Sequence, residues 1–371
     1  MRNIDSYILY MFSFLISILG SWQYDMKKNK VISIYAKTLY CILITLPIII
    51  LQGLRYAVGT DYFSYLSLYK GFGQENALFL RWYQTEPLFV LFCRIIYKIS
   101  NGNDAAFFLA DAILINFLLF LTLDYYKDQI NLPIMYFFYY MLCLPYFLNT
   151  ERQGLAVIIT WYATKYIHEN KIIKFLICVL IAALFHNTAI IALVFYSIKL
   201  FQGKYKKYTK KIFIVFMMCL PFTLELIINF ASRYLSIFRK YRKFLTNDLG
   251  KIKHININLL YMAFMIMILL FFINIIKTSR VDYIWILFLW ISQLISYLLN
   301  NYIEWGFRMS FYFEFGMMFA YSFVYTKIRS RINKIALLAF LMVTLLFYFT
   351  YKFYIQGNGE IFPYQFIMLH R

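Results

Sequence analysis

Charge is scarce in this sequence. Asp, Glu, Lys and Arg together make up 15% of the 371 residues, against 63% hydrophobic and 22% aromatic. A soluble domain is about a quarter charged and about half apolar. A chain so poor in charge cannot cover a water-facing surface, so lipid must be its solvent. Histidine is sparse too. His168, His186, His254 and His370 are scattered and lack carboxylate neighbours at ligand spacing, so no metal set is expected. Cys41, Cys93, Cys143, Cys178 and Cys219 each stand alone in an apolar run, with no pair at redox or zinc spacing. They read as small buried hydrophobes. Internal repeats, low-complexity tracts and soluble-domain stretches are missing as well. Residues 1–371 therefore read as a single integral membrane domain. The first apolar segment, Tyr7 to Tyr24, opens with little positive charge and has no small-x-small cleavage site, so it reads as a retained helix.

Positive charge is in excess. Lys and Arg number 37 and Asp and Glu 17, giving a net charge of +20. Nucleic acid is rejected as the partner, because the basic residues punctuate apolar runs instead of lining one soluble face. They read as topology signals and as side chains snorkelling to headgroups. Runs of about 20 apolar residues mark membrane helices at 6–24, 35–54, 104–124, 131–150, 152–168, 211–231, 257–277, 282–300, 304–325 and 334–354. Segment 85–99 is ambiguous, being short and carrying Glu86 and Arg94. The expected fold is all-α: a polytopic bundle of about 10–12 membrane helices.

Basic residues in short loops set the orientation. Lys27, Lys28 and Lys30, the group around 165–174, the group at 199–211, Lys277 with Arg280, and Lys327 to Lys334 are expected on the cytoplasmic side. Loops 165–174 and 199–211 then share one side, so the stretch between them must enter and return. Two helices of near 13 residues, with His186-Asn187-Thr188 at the apex, are expected to form a re-entrant hairpin or two thinned spans. Loops 55–84 and 232–256 fall on the outer side. The second is strongly basic against the topology bias, with Arg239 and Arg242 among its cations, which suggests an anion-binding role; the lesser alternative is a helix count off by one near 211–231.

Four segments carry polar residues at the outer side. The first runs from Leu54 to Tyr65 and holds Arg55, Gly59, Asp61 and Tyr65. Asp61 is either an N-cap or a chemical group. Arg55 either snorkels or clamps phosphate with its guanidinium fork. The second, Asn149 to Ala156, places Arg152 in the first turn of an apolar helix, with Glu151 as its expected partner. In the third, Ala182 to Thr188, His186 is either a structural hydrogen-bonder or a general base. The fourth, Glu304 to Phe313, sets Glu304 and Arg308 four residues apart on one helix face, where they are free to pair. Phe362-Pro363-Tyr364 lies on the outer tail. Several arginines on one face of a protein without a soluble domain point to a lipid-linked phosphate or pyrophosphate.

These segments resemble the EpsG family of Wzy-type polysaccharide polymerases. The resemblance rests on Arg55 with Gly59-Thr60-Asp61-Tyr62 and Tyr65, on Arg152-Gln153-Gly154-Leu155-Ala156, on Ala182 to His186, on Arg308-Met309-Ser310-Phe311-Tyr312-Phe313, and on Pro363-Tyr364. Its order covers nearly the whole chain. Asn187-Thr188 departs from it, since the family more often has a Ser-like small residue after the His. The resemblance implies a fold related to the C-class membrane glycosyltransferases, in a bacterial cytoplasmic (inner) membrane, with the active site on the extracytoplasmic face. It implies an enzyme that joins oligosaccharide repeat units carried on undecaprenyl pyrophosphate into capsule, exopolysaccharide or O-antigen. A flippase and a chain-length co-polymerase are the implied partners besides the bilayer. Arg55, Arg152 and Arg308 would hold the pyrophosphate, and His186 or Asp61 would take the acceptor proton. Glu151, Glu304, Tyr65, Arg239 and Arg242 would support them. No cofactor or metal is expected. A flippase for the same lipid-linked units, an O-antigen ligase and a membrane acyltransferase are the alternatives.

Overall fold

The computed structural model describes residues 4–28, 30–74, 85–197, 265, 267–274 and 306–367. The protein is an all-α polytopic membrane protein; the described residues are 83% helical, and among them no strand forms beyond a single bridge between Arg55 and Phe366. In chain order the helices are α1 (Ile4–Met26), α2 (Ile34–Gly53), α3 (Tyr62–Gln74), α4 (Pro87–Ser100), α5 (Asp104–Tyr126), α6 (Leu132–Phe138), α7 (Leu144–Phe147), α8 (Glu151–His168), α9 (Ile172–Phe185), α10 (Glu314–Lys327) and α11 (Arg331–Phe349). A π-helical turn, Tyr139–Cys143, joins α6 to α7, and another, Thr350–Ile355, extends α11. Two compact units result. One comprises Met1–Ile190 with Tyr325–Arg371, the other Ile191–Val324.

Backbone groups in hydrocarbon find no water, so a spanning segment must satisfy its own N–H and C=O groups, which a helix does. Among the described residues four helices are long and apolar enough to cross: α1, α2, α5 and α11 with its π-turn. They form within three residues of the expected bounds 6–24, 35–54, 104–124 and 334–354. The segment expected at 131–150 is helical but carries the π-turn, and 152–168 is α8. The 304–325 segment opens as a 3-10 turn, Gly306–Tyr312, before α10. The spans expected at 211–231 and 282–300, most of 257–277, and the basic loop 232–256 lie outside the described residues.

Two regions differ from simple expectation. Loop 55–84 is not merely a loop, because α3 occupies residues 62–74. Segment 85–99 is α4, whose 14 residues rise about 21 Å at 1.5 Å each, short of the roughly 30 Å hydrocarbon core. It packs on α3, α5 and α9. Between 171 and 200 the helix breaks where the basic loops require it. His186 follows α9 in extended backbone (φ −154°, ψ 116°), and a 3-10 helix, Asn187–Ser197, succeeds it.

Small polar residues let the helices of the first unit approach closely, as is common in membranes. Ser6, Ser13, Ser17 and Ser21 form one buried face of α1. Ser17 Oγ donates to the Ile44 carbonyl at 2.7 Å, and Ser13 Oγ pairs with the Tyr140 hydroxyl at 2.7 Å. Such interhelical bonds contribute about 0.6 kcal/mol each in lipid. At one end of the unit Asp124 collects Lys37, Lys127 (3.1 Å) and the Tyr24 hydroxyl (2.5 Å). This fixes the ends of α1, α2 and α5 together. Tyr126 at the end of α5 bonds Thr164 near the end of α8 at 2.9 Å. The beginnings of α5 and α8 therefore meet at the opposite end, together with the end of α2.

Candidate functional site

That opposite end is built by a turn the sequence singled out. α2 stops at Gly53, whose missing side chain matters, since a Cβ there would sit 2.8 Å from the Leu109 Cα. The chain then turns through Arg55 to Asp61 with Gly59 at φ +98°, a conformation glycine adopts without strain. A Cβ on Gly59 would also lie 2.7 Å from the Leu148 carbonyl oxygen. Helix α3 begins directly after Asp61, whose carbonyl accepts the Tyr65 N–H at 3.0 Å. Asn149 fastens this turn to the tail. Its Oδ1 accepts from the Thr60 N–H (2.6 Å) and hydroxyl (2.8 Å), and its Nδ2 donates to the carbonyls of Gly359 (3.0 Å) and Pro145 (3.1 Å). The tail closes the other side. Tyr56 N–H donates to Gln365, Ile367 N–H donates to Leu54, and the Tyr364 hydroxyl donates to the Leu51 carbonyl at 3.1 Å.

Arg55 sits inside this turn, 0% exposed. Its Nε donates to the Val58 carbonyl, Nη1 to Gln52 (2.5 Å) and Nη2 to Leu148 (3.2 Å). Nη2 also bonds Glu151 Oε1, itself 0% exposed. The Phe108 ring covers the guanidinium at 4.6 Å. Glu151 thus pairs with Arg55, not with Arg152 as expected. Neighbouring residues of a helix point in different directions, so Glu151 and Arg152 cannot face each other. With its donors committed to protein acceptors, Arg55 does not present a fork to solvent.

Behind Glu151 stands a second buried acid, Asp111 of α5. Gln52 Nε2 reaches Asp111 at 3.5 Å, and Asn116 Nδ2 donates to Gln52 Oε1 at 3.0 Å. Among the described residues no donor faces Glu151 Oε2. The buried Arg55 and Glu151 charges offset each other, which is how ionisable groups persist in a low dielectric.

Arg152 is different. It points the other way from the first turn of α8 and its side chain is 25% exposed. Glu86 Oε2 accepts from its Nη1 at 2.7 Å, and the Phe89 ring lies 5.3 Å from the guanidinium. Burial pushes the Tyr65 hydroxyl up to about 12. The other Glu86 oxygen accepts the Asn187 N–H at 3.3 Å, directly beside His186. His186 Nδ1 meets the Thr188 hydroxyl at 2.7 Å, which holds the ring's orientation. Arg152 and the His186 turn are thus joined through a single carboxylate.

The structure therefore brings Arg55, Arg152, Tyr65, Glu151 and His186 to one end of the first unit. Asp61 lies half-buried at the start of α3. Arg308 is on the short turn Gly306–Tyr312 of the second unit, half-buried. Glu304, Arg239 and Arg242 lie outside the described residues. Among the described residues no three His, Cys, Asp or Glu side chains gather as metal ligands.

Glu86, Asp111, Asn149 and Thr188 were not among the expected site residues. Asp111 had a signal, an acid in the interior of an apolar span, which is a functional pointer by default. Glu86 precedes a proline at a helix start and reads only as a cap; its partners come from α8 and the turn after α9. Among families of known proteins, the model described as the EpsG family matches residues 37–366. No curated protein and no solved structure matches the chain.

Proposed function

The chain belongs to the EpsG family and is a membrane protein of polysaccharide biosynthesis, and on that premise we propose that it is a polymerase joining oligosaccharide repeat units carried on undecaprenyl pyrophosphate. The observation that carries the reading is the Arg152–Glu86–Asn187–His186 chain of contacts at the end of the bundle opposite the lysine-ringed Asp124. Lysine-rich ends tend to face the cytoplasm, which supports a site on the outer face of the cytoplasmic membrane.

In the reaction, the acceptor sugar hydroxyl attacks C1 of the donor sugar. The new C1–O bond forms as the C1–O bond to pyrophosphate breaks, and the pyrophosphate leaves with the electron pair. Arg152 meets that developing charge with a charge-assisted donor held in place before the reaction, an arrangement worth several kcal/mol in related settings. Arg308 keeps the pyrophosphate-binding role expected of it from the sequence. His186 takes the acceptor proton on Nε2, because Nδ1 is engaged by Thr188. Asp61 is the alternative base. Arg55 is reassigned from ligand to brace, since its buried pair with Glu151 fixes the helix turn from which Arg152 projects. Glu304, Arg239 and Arg242 keep the supporting roles expected of them. A flippase and a chain-length co-polymerase are the proposed partners.

The test is reconstitution of the purified chain with lipid-linked repeat units. A polymerase yields a ladder of products; a flippase moves the lipid without lengthening the glycan; a ligase passes glycan to a different acceptor. Arg152→Ala should abolish the ladder while the protein still accumulates in the membrane. A ladder of normal length and yield from that variant would reject the assignment.

A further inference from the structure

Glu86 touches both Arg152 and the His186 turn. It is 14% exposed, it holds Arg152 at 2.7 Å, and its second oxygen receives the Asn187 N–H. It stands just outside α4, where Pro87 opens the helix and the Glu86 side chain makes no capping bond to it. The carboxylate is therefore committed outward, to α8 and to the turn that carries His186. A carboxylate and a phosphate oxygen seek the same guanidinium donors in the same planar geometry. The Nη1 N–H that points at Glu86 cannot serve both at once.

We propose that Glu86 is a resident anion in the phosphate seat of Arg152, displaced when the donor pyrophosphate arrives, and that its release couples donor binding to the position of His186. This rests on the polymerase reading. Before the donor binds, Glu86 keeps the arginine charge compensated and holds the Asn187 N–H. When pyrophosphate takes Nη1, the carboxylate loses its cation. It keeps the Asn187 contact and turns toward the imidazole, a natural counter-ion for a ring that is accepting a proton. The base is thereby set only when the leaving group is in place. Glu86 acts through Arg152 and His186, so it is a positioning residue.

The experiment uses the full chain in lipid nanodiscs. Binding of undecaprenyl pyrophosphate without sugar is measured beside polymer formation from lipid-linked repeat units. Glu86→Gln keeps the shape and removes the competing charge. The expected result is binding roughly ten-fold tighter, the size of one charge-assisted contact, with turnover down about ten-fold or more, and with a flatter pH profile for turnover. Glu86→Asp, which restores the charge, should return the affinity to within about two-fold of wild type. A purely structural Glu86 would weaken binding and turnover together. If Glu86→Gln does not accumulate, Glu86→Ser, too short to reach Arg152, carries the same expectation. Wild-type protein that polymerises and binds the pyrophosphate, paired with variants that bind no more tightly, overturns this inference alone. Wild-type protein that neither binds the pyrophosphate nor lengthens the glycan overturns the polymerase reading, and this inference with it.

Discussion

Replacing Glu151 by Gln, and separately Asp111 by Asn, tests which of the two buried acids carries the charge that neutralises Arg55. The geometry points to Glu151, which bonds Nη2 directly, whereas Asp111 meets the Gln52 amide. Glu151→Gln leaves the guanidinium with only the carbonyls of Val58, Gln52 and Leu148. Removing one member of a buried pair costs about 3–5 kcal/mol, because the other charge stays buried. Asp111→Asn keeps an acceptor for the Gln52 amide and leaves the Arg55–Glu151 pair in place, which should cost about 1 kcal/mol. Soluble domains unfold with an entropy of roughly 2.1 cal/mol/K per residue. Over 371 residues that is about 0.8 kcal/mol/K, so Glu151→Gln should lower Tm by roughly 4–6 °C and Asp111→Asn by about 1 °C. Lipid-embedded helices lose less order on unfolding, so these shifts are lower bounds. Tryptophan-fluorescence melts in one detergent, at one scan rate, provide the comparison. A Tm for Glu151→Gln within 1 °C of wild type, or a larger loss for Asp111→Asn, would refute Glu151 as the partner that neutralises Arg55.

Two further outcomes follow from the turn around Arg55. Gly59→Ala forces a side chain into positive φ and against the Leu148 carbonyl, and should destabilise by more than about 1 kcal/mol; Gly71→Ala, in α3 with open space around it, should be neutral or stabilise by up to about 1 kcal/mol, as thermal melts of the pair would show. Asn149→Ala removes four hydrogen bonds, at a cost of about 2–4 kcal/mol; residues 357–367 should then become cleavable by added protease while the α1 and α2 fragments stay protected, and an uncut tail would count against the clamp.

Much of this arrangement could be read from the residues. Runs such as 104–124 announce themselves because hydrocarbon tolerates few other sequences of that length. The break at His186 followed from two lysine-rich loops that had to share a side. What the residues hid was pairing. Glu151 and Arg152 are adjacent in the chain, and adjacency suggested a couple that helix geometry forbids. Glu86 looked like a blemish in a short apolar segment, because its partners lie 66 and 101 positions away. Arg55 was legible as important but not as interior, since burial depends on a tail that no local pattern connects to it.

That tail has a consequence for assembly. Tyr56 finds its backbone partner in Gln365, 309 residues later, a separation that makes the contact among the last to form. The membrane helices can be threaded and packed while the turn bearing Arg55 still lacks one wall. An unfinished chain would thus sit in the bilayer with its helices in place and its chemistry unarmed, and maturation would be completed by a few residues of extended backbone.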